Sequence, residues 1–66
     1  MKIIINGEPK KIKENLSVEK LIENLGLKEK RVAVELNKTL VKQAQFAETL
    51  LKDGDSVEIV HFVGGG

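Results

Sequence analysis

The chain has 66 residues, of which 11 are Lys or Arg and 10 are Asp or Glu, so its formal net charge is +1. This balance, with Phe46 and Phe62 as the only aromatic residues, argues against a nucleic-acid binder, which normally carries a basic surplus and stacking rings. No cysteine is present, which excludes disulfides, zinc–thiolate sites and a persulfide on this chain.

Hydrophobic content of 41% and charged content of 32% fit one small globular domain. Its core must be modest, because a chain of this size buries only about 60% of its unfolded surface. Apolar runs are no longer than Ile3-Ile4-Ile5, too short for a membrane span or a signal peptide. The expected location is the cytoplasm.

In chain order, Lys2-Ile3-Ile4-Ile5 is β-branched and reads as a strand. Asn6-Gly7 accepts the positive φ angles of a two-residue type I′ hairpin turn. The return strand is expected over Glu8 to Lys13, and Pro9, lacking an N–H, places it at a sheet edge. Ser17 is a helix N-cap, and Glu19 in the first turn complements the helix dipole. Val18, Leu21, Ile22 and Leu25 then form one apolar stripe, with Lys20, Glu23 and Asn24 facing out. Gly26 is placed to end the helix in the left-handed conformation, and Leu27 to fold back onto the stripe.

Val32 to Asn37 reads as a strand with Val32, Val34 and Leu36 on one face. Asn37-Lys38 marks a turn and Leu40-Val41 a short extended piece. Gln43 to Leu51 is ambiguous: Phe46, Leu50 and Leu51 have helical spacing, but the segment also fits a short helix followed by extended chain. Asp53-Gly54-Asp55 is a turn signal, since it lacks the further ligands of a calcium loop. The last strand is expected from about Ser56 to Val63.

One helix can cover one face of a sheet, which gives a two-layer α+β domain. The first and last strands are the most apolar and fit the central positions, lying parallel. The predicted fold is therefore the β-grasp, ubiquitin-like arrangement. It has a mixed sheet of four to five strands, one main helix on one face, a domain over residues 1–63 and a flexible glycine tail over 64–66.

No side-chain constellation for catalysis or metal binding emerges. His61 has no second ligand type or nucleophile near it, and a structural or interface role is expected. Two features remain. In the last strand, alternation puts Val57, Ile59, His61 and Val63 on one face and Glu58, Val60 and Phe62 on the other. If the helix covers Val57 and Ile59, then Val60, Phe62 and the neighbouring Ile4 form an open apolar patch, a partner surface. The alternative is that the segment from Thr39 to Lys52 folds over it. The second feature is Gly64-Gly65-Gly66. Without Cβ atoms these residues pass through a slot too narrow for other residues and can deliver a terminal carboxylate to another molecule.

Taken together, Val32-Ala33-Val34-Glu35-Leu36-Asn37, Asp53-Gly54-Asp55-Ser56-Val57-Glu58-Ile59-Val60 and His61-Phe62-Val63-Gly64-Gly65-Gly66 resemble the ThiS family. These are the ubiquitin-like sulfur carriers of thiamine biosynthesis. Lys42-Gln43, where members often have Pro-Arg, and Phe46, where they often have Trp, depart from the pattern and bear on partner fit. The resemblance implies that a ThiF-like enzyme uses ATP to adenylate the Gly66 carboxylate. Sulfur from a persulfide donor, such as a cysteine desulfurase, then makes a thiocarboxylate, and a ThiG-like thiazole synthase takes the sulfur. Gly64 and Gly65 would enter the partner's active site, and the carrier itself would be neither an enzyme nor the holder of a cofactor. The alternatives within the fold are a molybdopterin-synthase carrier subunit and a ubiquitin-like protein modifier. A plain interaction module is the alternative outside it.

Overall fold

The computed structural model describes residues 1–62. In chain order the elements are strands β1 (Lys2–Ile5) and β2 (Glu8–Lys11), helix α1 (Val18–Asn24), strands β3 (Val32–Leu36) and β4 (Thr39–Val41), a 3-10 turn (Gln43–Gln45) and strand β5 (Ser56–His61). The sheet order is β2-β1-β5-β3-β4. β5 therefore holds the centre, parallel to β1 and antiparallel to β3. The predicted edge strand is an edge, but it ends at Lys11 rather than Lys13, and all four of its residues are exposed.

The predicted Asn6-Gly7 hairpin forms, and the turn at Asn37-Lys38 is a second two-residue hairpin. Asn6 and Gly7 have φ of 50° and 84°, and Asn37 and Lys38 have φ of 50° and 72°, the doubly left-handed geometry whose twist matches the flanking strands. The two asparagines also reach the central strand. Where β1 ends, the Asn6 side chain continues its ladder. Oδ1 accepts from the Ile59 N–H at 2.8 Å, and Nδ2 donates to the Ile59 carbonyl at 3.1 Å. On the other flank, Asn37 Oδ1 accepts from the Ser56 N–H at 2.9 Å and its Nδ2 donates to Asp55 at 3.0 Å. Asp53 and Asp55 are occupied similarly, accepting from the Lys2 and Lys52 N–H groups. The acidic turn is thus a structural clasp, as its turn signal implied.

Helix α1 starts as predicted, with Ser17 Oγ accepting from the Lys20 N–H at 3.1 Å. It ends in a Schellman motif. The Leu27 N–H bonds the Ile22 carbonyl, the Gly26 N–H bonds the Glu23 carbonyl, and Gly26 has φ of 75°. This ending corrects the predicted stripe. Val18, Leu21 and Ile22 are buried, but Leu25 is 40% exposed. Leu25, at the helix C-cap, stays beside Leu21 and Ile5 but at the open end of the stripe, and Leu27 packs against the core.

The ambiguous segment is one 3-10 turn followed by irregular chain that satisfies the helix N-terminus. The Phe46 carbonyl accepts from Glu19 and the Thr49 carbonyl from Val18. Phe46 and Leu51 are buried, whereas Leu50 is 53% exposed, so the helical spacing of these three did not predict their burial. The core lies between α1, this segment and one sheet face, with Ile3, Val18, Leu21, Val34 and Val57 fully buried.

Candidate functional site

The segment from Thr39 to Lys52 does not fold over the opposite sheet face: Thr39–Val41 are strand β4, and Phe46 and Leu51 are buried in the core on the helix side. On that open face Ile4 is 39% exposed and Val60 55%, and Phe62, just beyond the end of β5, is 56% exposed. Val57 and Ile59, on the alternate positions of the same strand, are buried.

The register refines the patch. Val60 sits opposite Ala33 on β3, a small residue that leaves one side of the Val60 side chain open. Ile4 pairs with Ser56, four residues earlier on β5 and so roughly 13 Å along the strand from Val60. Glu58 lies between them, directly opposite Glu35, and both carboxylates are exposed. Val60 and Ala33 thus lie side by side, and Ile4 is separated from them by the acidic pair. Phe62 follows the strand's last residue, its N–H bonding the Arg31 carbonyl at 3.0 Å. It borders a depression with Val32, Arg31 and Gln43 at the sheet's end.

Sequence reasoning missed Leu40. It is 62% exposed and sits opposite Glu35 on the open face. The signal was present, because Leu40 alternates with buried Val41 and belongs to the face that the helix leaves bare. His61 lies opposite Val32 and is exposed. Among the described residues, no three His, Cys, Asp or Glu side chains come together as a metal site, and no helix is long and apolar enough to cross a membrane. Gly64, Gly65 and Gly66, the predicted tail, lie outside the described residues.

A mixed five-stranded sheet grasping a single helix, with the last strand at its centre and one sheet face left open, defines the ubiquitin-like β-grasp class. A solved ThiS thiamine biosynthesis protein of Geobacter metallireducens superposes with a TM-score of 0.83 at 38% identity, covering 100% of both chains. The ThiS family profile matches residues 3–66. The chain belongs to the ThiS family, the ubiquitin-like sulfur carriers of thiamine biosynthesis.

Among curated relatives, the sulfur carrier protein ThiS of Bacillus subtilis is 40% identical over 63 residues, 94% of this chain and 96% of that protein. A thiazole synthase of Paramagnetospirillum magneticum is 42% identical over all 66 residues, and the chain spans 20% of that protein's length.

Proposed function

We propose that the Gly66 carboxylate is the working group of this chain and that residues 1–63 present it to other enzymes. The observation that carries the reading is the family match, which runs through Gly64, Gly65 and Gly66. The uncovered face around Val60 supports it by offering a docking surface on the strand that leads to those glycines.

A carboxylate is a poor acyl donor because oxide is a poor leaving group. In the proposed cycle, a ThiF-like enzyme joins the Gly66 carboxylate to the α-phosphate of ATP and releases pyrophosphate. AMP then becomes a good leaving group. A persulfide sulfur attacks the acyl carbon and AMP departs. A thiol reduces the resulting acyl–disulfide, leaving a thiocarboxylate on Gly66. A ThiG-like thiazole synthase takes that sulfur. Side chains at positions 64 to 66 would obstruct the approach to the phosphate, and glycine removes them. The absence of cysteine protects the activated end from attack by the carrier's own thiol. On this reading the chain is a co-substrate, with catalysis and ATP binding belonging to its partners.

Mass spectrometry after co-expression with the cognate activating enzyme tests the cycle. The expected result is a mass gain equal to replacement of one oxygen by sulfur, located at Gly66. An unmodified Gly66 with ATP, sulfur donor and active enzyme all present overturns the carrier reading, and conjugates to lysine side chains would replace it with a modifier role.

A further inference from the structure

Between α1 and the edge strand β2 runs a groove of about 590 Å³, on the side of the sheet away from Val60. Its floor is apolar: Ile5 and Leu21 are buried, Ile12 and Leu16 half-buried and Leu25 exposed. Its rim is cationic, with Lys10, Lys11, Lys13 and Lys20 lining it and no carboxylate among its lining residues. Four lysines around one groove in a chain of net charge +1 are a local concentration of charge, not a general basic field. The one ion pair among the described residues joins Lys20 to Glu23 at 3.5 Å, and it is exposed enough for a partner's carboxylate to replace Glu23.

We propose that this groove docks an acidic amphipathic helix of a partner protein. The lysine rim selects the partner's charge, and the floor with exposed Leu25 selects its apolar stripe. A helix fits better than an added strand, because a helix satisfies its own backbone whereas β2 is a poor template. Pro9 has no N–H, and the lysines crowd the edge. A membrane surface fits poorly, since the apolar groups lie on a concave floor beneath the charges rather than projecting beyond them. The groove and the open face lie on opposite sides of the sheet, so both can be occupied at once. This inference goes beyond the carrier cycle and stands without it.

The test titrates the isotope-labelled full chain with a synthetic helix of roughly 18 residues carrying leucines at i, i+3, i+4 and i+7 with glutamates on the flanks. A control peptide keeps the leucines but carries lysines in place of the glutamates. Amide shifts are expected at Ile12, Leu16, Lys20 and Leu25 with the glutamate peptide only. Leu25→Asp, and separately the combination of Lys10→Glu, Lys13→Glu and Lys20→Glu, should each weaken binding about tenfold or more while the amide signals of Val60 and Leu40 stay in place. Equal binding of the two peptides, no shifts at millimolar peptide, or shifts confined to Val60 and Leu40 overturns the proposal. So does self-association, or pelleting with anionic vesicles, that Leu25→Asp abolishes, because the occupant would then be a second copy or a lipid surface.

Discussion

The two faces of β5 carry side chains of the same kind with opposite fates. Val57 and Ile59 are at 0% and 6% exposure under α1, while Val60, on the same strand, is 55% exposed. Neither hydrophobicity nor β-propensity separates them. The difference arises because a domain with a single helix can cover only one sheet face. A core position on the covered face contributes to stability, whereas an apolar position on the open face leaves stability nearly unchanged and is available to a partner. Substitutions on the two faces should therefore separate folding from binding.

The largest effect is expected on the covered face. Leu21 is 2% exposed, and Leu21→Ala removes buried methyl groups and leaves a cavity, costing about 2–5 kcal/mol. That is a large share of the total stability of so small a domain, and denaturant unfolding should show a much lower midpoint or no folded baseline. Asn6→Gly comes next. It keeps the permitted positive φ but removes both side-chain bonds to Ile59, stranding a part-buried N–H and carbonyl. The expected loss is about 1–3 kcal/mol. An unchanged melting temperature would mean that the asparagine is retained for its turn geometry alone.

What the sequence disclosed follows from the range of the interaction involved. Ser17, Asn6-Gly7, Gly26 and Asp53-Gly54-Asp55 act on neighbours a few residues away, so their roles were legible. The pairing of the first and last strands followed from the apolar content of those strands and the single helix. The clamp from Asn6 to Ile59 was not legible, because it joins residues 53 apart that only the sheet order brings together. Leu25 was misread because periodicity does not say where a helix stops. Leu25 is the C-cap, at the open end of the stripe, where nothing packs over it. Val60 and Ile4 were legible as open-face residues from alternation, but their separation by Glu58 required the strand register. The role given to Gly66 came from resemblance, since three glycines contain no side-chain chemistry to read.

The smallest stability effect, and the sharpest test of the two-face comparison, is on the open face. Phe62 is more than half exposed and lies past the strand's last residue, so Phe62→Ala should change unfolding free energy by no more than about 0.5 kcal/mol. Val60→Thr keeps the β-branched shape that suits a strand while replacing a methyl with a hydroxyl, so it too should leave the fold intact. If this face seats the activating enzyme, each change should weaken that complex about tenfold, because a polar or missing group is left where an apolar contact was desolvated. Calorimetric binding and thermal unfolding of the same samples give both quantities. The comparison of faces fails if either substitution unfolds the domain as Leu21→Ala does, and the docking role of the open face fails if enzyme affinity is unchanged in both.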